Sequence, residues 1–442
     1  MKIKLFIVSA CFCVSNANAL TLLEAYDSSV KEDPQLQAAK FEMESAKKDS
    51  DIGFSYLLPS INANGKILKT SGRTDLDQNS ITGLNSYSSN TDYQSKSVSI
   101  NIKQPLYDME RYSLYKEGVV NSNIGIKRFL TDKQRSAQEL VSSYLELLRV
   151  KNEFLLAEKQ LELFDKLKSQ SMKMYQNGEG TVIDIDEMNS RYDLALSKKI
   201  EAEAEIRNTE NILFYKTGKQ SNELLMISEN IDSKPMVLIN EDLIFWQNKA
   251  NSVNPLLIEK EEEIEYLRYK IKEKSSAHQP KINLVGQMVK SKINQLNKEQ
   301  DRVDKTIGLT IDIPIYAGGG ISANTDKQRL ILTQNLFLLD DTRKQVALDI
   351  ESKYIGVTTG WQRCVALLSA VKSAEHSLFS TQKGFNVGEK PLTELLDAQD
   401  RVFTAKKDFI NAKLKMLNSF SGLMSLVNEL DSSQILKIQS KL

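Results

Sequence analysis

Apolar residues recur at helical spacing over two long stretches of the chain. In the first, 108–176, which contains no proline, Leu140, Tyr144, Leu147 and Leu148 fall on one face. At about 1.5 Å per residue this predicts one helix, or a stacked pair, about 100 Å long. The second stretch, 321–386, repeats it. Each ends in a glycine turn, at Gly178 and Gly388, followed by a returning helix over 182–217 and 392–428. Shorter helical segments, 35–56 and 256–277, stand further upstream and are each bracketed by prolines.

Elsewhere the pattern switches to strict alternation. Ile307, Leu309, Ile311 and Ile313 share one face of a predicted strand, and Thr306, Gly308, Thr310 and Asp312 share the other. Val98, Ile100 and Ile102 oppose Ser99, Asn101 and Lys103 in the same way; Ile282, Leu284 and Met288 oppose Asn283 and Gln287. One face suits lipid and the other a wet lumen. A half-buried soluble sheet gives the same alternation, but four strands cannot close a barrel by themselves. Several chains must therefore combine if these strands cross a membrane.

The two halves repeat one plan. Pro34 and Pro59 lie 25 residues apart, as do Pro255 and Pro280. Pro105 precedes Gly178 by 73 residues, and Pro314 precedes Gly388 by 74. Each half reads helix, strand, loop, strand, long helix, tight turn, helix. The loop is longer in the first half, about 70–95, and rich in Ser, Asn, Gly and Asp. The expected organisation is a first repeat over 20–217, a linker over 218–241, a second repeat over 242–430 and a tail over 431–442.

The chain opens on Lys2 and Lys4, a short apolar core at 5–14 and a small-residue site at Ala17-Asn18-Ala19. This reads as a secretory signal peptide over 1–19. It is too short for an anchor, since a span needs about 20 apolar residues. Val8-Ser9-Ala10-Cys11 offers a second reading, a lipidation site. Cleavage after Ala19 removes Cys11 and Cys13 and leaves Cys364, so no internal disulfide is expected. Without a later apolar run, the exported chain enters a membrane as a barrel or not at all.

Composition removes other classes. Charge is balanced at 58 basic and 58 acidic residues, which gives no argument for nucleic acid. Two histidines, His278 and His376, exclude a histidine-rich metal site. Gly318-Gly319-Gly320 follows a strand and precedes a helix, but its counterpart in the first half is Asp108-Met109-Glu110, so it reads as a junction and not a phosphate loop. No nucleophile–base arrangement is visible, and neither an enzyme nor a cofactor is expected.

An ordered set of segments resembles the TolC family of outer-membrane channels, used in drug efflux and type I protein secretion. They are Leu22-Leu23-Glu24-Ala25, Asp33-Pro34-Gln35-Leu36, Leu57-Leu58-Pro59, Pro314-Ile315-Tyr316-Ala317-Gly318-Gly319, Phe385-Asn386-Val387-Gly388 and Leu395-Leu396-Asp397-Ala398-Gln399. The resemblance covers nearly the whole mature chain. It implies a mainly α fold with a small β part: a long α-helical barrel continuing into a transmembrane β-barrel with four strands per protomer. It further implies a homotrimer in the outer membrane of a Gram-negative cell, reaching into the periplasm. The expected partners are outer-membrane lipid, a periplasmic adaptor and an inner-membrane ABC or proton-driven transporter, which supplies the energy.

The resemblance also assigns residues. Glu394 and Asp397, three apart on one helix face, would ring the periplasmic aperture, six carboxylates in a trimer. An ordinary solvated helix face is the other reading of that pair. Asp184 and Glu187 stand at the equivalent offset in the first half. Lys390 would bond across to Asp184. Phe385 stands where a tyrosine is usual and removes a hydroxyl. Gly178 and Gly388 would terminate the helices and present the tips to the adaptor. The alternative function is an exported coiled-coil stalk or scaffold, against which the two alternating strand pairs speak.

Overall fold

The computed structural model describes residues 20–80, 83–220, 241–295 and 298–442. The expected signal peptide with Cys11 and Cys13, and nearly all of the 218–241 linker, lie outside them. The helices are α1 (Leu22–Glu32), α2 (Pro34–Ser55), α3 (Met109–Gln176), α4 (Val182–Thr217), α5 (Leu243–Val253), α6 (Pro255–Ser276), α7 (Gly320–Asn386), α8 (Leu392–Leu426) and α9 (Ser432–Ser440). The strands are β1 (Ser60–Ser80), β2 (Gly83–Tyr107), β3 (Lys281–Gln295) and β4 (Lys298–Asp312). Lengths recur between halves: α2 and α6 have 22 residues each, α3 and α7 have 68 and 67, α4 and α8 have 36 and 35. The chain divides into two compact units, one of Met1–Phe41, Arg128–Ile258 and Asp341–Leu442, the other of Glu42–Lys127 and Glu259–Asp340.

The second unit holds one antiparallel sheet in the order β1-β2-β3-β4. Its register aligns like with like. Ile61, Ile102, Gly286 and Ile307 stand side by side across all four strands. The next row holds Asn62, Asn101, Gln287 and Thr306 and points to the opposite face, where the Gln287 side chain donates to Asn101 Oδ1 at 2.8 Å. The apolar row is open: Ile61 and Ile307 are 66% and 79% exposed. Within the chain β1 and β4 are edges, each with a partner on one side only.

Of the expected loop at 70–95, residues 70–80 and 83–95 are instead strand. Pairing of β1 with β2 continues to Ser80 and Gly83. Ladder hydrogen bonds join main chains, so a Ser- and Asn-rich stretch can extend a hairpin that hydrophobic alternation does not reveal. β1 and β2 have 21 and 25 residues; β3 and β4 have 15 each.

Below the sheet, α2 and α3 approach closely. A Cβ on Gly118 would overlap the main-chain oxygen of Asp49, and one on Gly125 would overlap the Cβ of Ala46. Between α3 and α6, Glu117 and Glu273 are buried, and Lys270 Nζ donates to Glu117 Oε2 at 3.0 Å. Burial pushes the Glu117 carboxyl above its ordinary range, against the pull of Lys270.

The first unit is built on caps and a helical core. Thr21 and Glu24 form a capping box at the start of α1. Asp33, 1% exposed, accepts from Gln35 N at 2.9 Å at the start of α2 and from Ser136 Oγ at 2.8 Å. Pro34 and Pro255 each open a helix, where a missing N–H costs nothing. Leu140, Leu147, Leu213, Leu417, Phe420 and Ile435 are among the fully buried side chains, so the core draws on both halves of the chain. Ile435 belongs to α9, which occupies the expected C-terminal tail. Leu23 N donates to Gln439 Oε1 at 2.9 Å, tying α1 to α9.

The helical tips as candidate functional site

Both long helices end in the same turn. Gly178 and Gly388 adopt φ of +81° and +78°, the left-handed region that glycine enters without a side-chain clash. Glu179 N donates to Met174 O at 2.9 Å, and Glu389 N to Gly384 O at 2.9 Å. These bonds satisfy carbonyls that the helix end leaves open. A Cβ at either glycine would meet nothing within 4 Å, so both turns are open at that point.

The returning helices start differently. α4 opens on a capping box in which Thr181 Oγ1 accepts from Asp184 N at 3.2 Å and the Asp184 carboxylate accepts from Thr181 N at 3.0 Å. α8 opens on Pro391 without a side-chain cap. Next to the tips the four helices share an apolar cluster. Phe164 and Leu167 come from α3, Met188 and Ala195 from α4, Leu395 and Leu396 from α8, with Phe385 and Leu378 of α7 packed against them. Met188, Leu395 and Leu396 are fully buried. The phenyl ring of Phe385 thus serves packing.

Charged groups lie beside this cluster. Arg191 of α4 donates from Nε to Glu187 at 2.6 Å, one turn back on its own helix, and from Nη1 to Asp400 of α8. Its Nη2 stands 3.9 Å from Asp397. Burial works against the charge of Arg191. The hydrogen bonds and charges of Glu187 and Asp400 outweigh it and hold the pKa above its ordinary value. Lys390 donates to Glu394 at 2.9 Å.

The structure therefore groups the sequence-derived residues in a new way. Glu187 and Asp397 meet around Arg191. Glu394 meets Lys390. Asp184 meets neither; its carboxylate serves the cap of α4. The bond expected between Lys390 and Asp184 is absent within the protomer, because each has a nearer partner in sequence. Glu394 and Asp397 are 53% and 63% exposed, and each carries a cation beside it instead of standing bare. Arg191 and Asp400 escaped the sequence reading. The Glu187–Arg191 spacing marks an i,i+4 pair, but nothing local signals a partner 209 residues away. Among the described residues no group of three or more His, Cys, Asp or Glu could hold a metal ion.

The sequence model of a family described as "Outer membrane efflux protein" matches residues 25–219 and 246–429. The chain is 24% identical over 429 residues to the proteases secretion protein PrtF of Dickeya chrysanthemi, covering 96% of this chain and 91% of that one. It is 24% identical over 425 residues to the alkaline protease secretion protein AprF of Pseudomonas aeruginosa, covering 95% and 87%. The solved structure of CusC, described in connection with transmembrane channel formation, superimposes with a TM-score of 0.77 at 13% identity, covering 92% of each chain.

Proposed function

This chain belongs to the outer membrane efflux protein family, and from that membership we propose that it is the exit duct of a tripartite export system. It resides in the outer membrane and passes cargo from an inner-membrane pump and its periplasmic adaptor to the outside. The stalk reading is set aside. The sheet carries the proposal: one open apolar row, one polar row and two unpaired edges. Exposed edges of such length call for partners, and four strands call for further copies to close a barrel. Three protomers would place the apolar rows in lipid and the polar rows around a lumen. In this reading the halves are a structural repeat, the helices line the periplasmic duct, and the two glycine tips face the adaptor. The chain catalyses nothing, and its energy comes from the pump.

The tip residues form the entrance in this reading. Glu394, Asp397, Glu187 and Asp400 surround it with carboxylates, while Lys390 and Arg191 compensate part of that charge. The names of two relatives favour a polypeptide cargo over a small molecule. The experiment is reconstitution. The purified protein in planar bilayers should conduct, and light scattering in detergent should give a trimer. A monodisperse monomer without conductance would overturn the proposal. Deleting the gene should remove a protein from the culture medium; loss of drug tolerance with unchanged secretion would reverse the cargo.

A further inference from the structure

The apolar face of the sheet is not apolar along its whole height. Steps of two residues along a strand stay on one face. From the row of Ile61, Ile102, Gly286 and Ile307, three such steps toward the hairpin ends reach the row of Ile67, Lys96, Lys292 and Asp301. Lys290 stands one step before Lys292, and Lys69 one step beyond Ile67. Lys305, opposite Met288, stands one row lower than Lys290. Toward the helix ends of the strands the same face carries Ile282, Leu284, Leu309 and Ile311, while Lys103 and Lys281 fall on the other face. Cations on the apolar face are thus confined to its hairpin half. A merely solvated rim would charge both ends alike.

The height of the lysines fits a membrane boundary. Ile282 and Lys292 are about 34 Å apart along β3, at about 3.4 Å per residue. A strand tilted by about 40° converts this into about 26 Å of height, close to the apolar band of about 25 Å in outer-membrane barrels. Lys292 therefore stands where acyl chains give way to headgroups. Lys69, Lys96, Lys290 and Lys292 are all exposed, and so are the apolar Ile67, Val98 and Val303 beside them. Lys96 and Lys292 stand directly opposite each other, an arrangement that repels unless anions lie between. Asp301 is the one carboxylate of that row, and Glu299 stands one row further by register. Two carboxylates face four lysines, so the patch remains cationic.

We propose that this patch binds a phosphate-bearing lipid of the outer leaflet, with the lysines on its phosphates and the isoleucine and valine rows along its acyl chains. The inference rests on the exit-duct reading, which turns the hairpin ends outward, since all four strands join helices at their other ends. A lysine suits this task, because its ammonium acts as a point charge on phosphate while its long stem lies along apolar surface.

The test is binding of fluorescent diphosphoryl lipid A to the purified protein in detergent, read by anisotropy. Lys96→Gln with Lys292→Gln should weaken binding about tenfold to thirtyfold, the effect of two lysines beside an anionic surface. Lys66→Gln with Arg302→Gln removes the same charge from the opposite face and should leave binding unchanged. The same lipid stripped of its phosphates should bind the wild type as weakly as it binds the Lys96, Lys292 variant. If that variant fails to fold, Lys69→Gln with Lys290→Gln carries the same expectation. Equal binding by both charge pairs, indifference to the lipid phosphates, or displacement by inorganic phosphate alone would each overturn the patch. Conductance of the same wild-type preparation in planar bilayers separates the two readings. A conducting protein without phosphate-dependent binding loses only the patch; one that does not conduct loses the duct reading.

Discussion

Substituting Gly125 by alanine tests the close approach of α2 and α3. The added methyl would overlap the Cβ of Ala46, and neither group can rotate away. Overpacking of this kind costs about 2–3 kcal/mol when no side chain can yield. Alanine returns about 1 kcal/mol through its better helix propensity. The net loss is therefore about 1–2 kcal/mol. Unfolding entropy of about 2 cal/mol/K per residue over 442 residues converts this into a fall of about 1–2 °C in melting temperature. The partner change Ala46→Gly moves the methyl from one helix to the other. On its own it should also destabilise, by about 1 kcal/mol. Combined with Gly125→Ala it should restore the wild-type value, a strongly non-additive pair. The assay is circular dichroism in detergent at one fixed scan rate, since heating a large membrane protein reports a rate as much as an equilibrium. A Gly125→Ala protein as stable as wild type, or one that Ala46→Gly does not rescue, would refute the steric account.

Three further expectations concern charge and the tips. The Glu117 carboxyl titrates above its ordinary value of 4.5, so the native state keeps its proton after the unfolded chain has released it. The stability this gives is present below that value and is lost as pH rises through the native pKa; Glu117→Gln should flatten the profile of melting temperature against pH. At Gly388, alanine would be held at a left-handed φ at about 1–2 kcal/mol, which should loosen the tip turn and raise amide exchange at Glu389 without lowering global stability. The pair Glu394→Ala and Asp397→Ala should weaken cation selectivity and block by trivalent cations from the periplasmic side; an unchanged reversal potential would return both residues to the status of a solvated face.

Much of the architecture is written in chain-local patterns. The predicted helices at 182–217 and 35–56 fall on or within a residue of α4 and α2, because proline, a capping threonine and a left-handed glycine act on neighbouring main chain. α1, α5 and α9 have 11, 11 and 9 residues, too few turns for periodicity to stand out. The Ser- and Asn-rich part of the first hairpin gives no strand signal, because its side chains do not alternate. The candidate site was legible in part. Asp184 and Glu187 lie on α4 and Glu394 and Asp397 on α8, but their partners are not those that spacing suggests. Lys390 prefers a glutamate one turn away over an aspartate on another helix. Arg191 finds its partner in the other half, a pairing that no spacing rule along the chain can reveal.

The way the chain weaves through its two units governs when it can fold. It passes between them four times, and the larger is assembled from three separate segments. The bond between Leu23 and Gln439 spans 416 positions. The smaller unit is complete only at Asp340 and the larger only when the last stretch has emerged, so little can form domain by domain behind a moving ribosome or translocon. Closing contacts so far apart is slow. The nascent protein must meanwhile travel as an open chain with its apolar strand rows unshielded, which makes it a natural client for holding chaperones. It also makes truncation all-or-none: a premature stop near the end should leave no half-working remnant, only material for proteolysis.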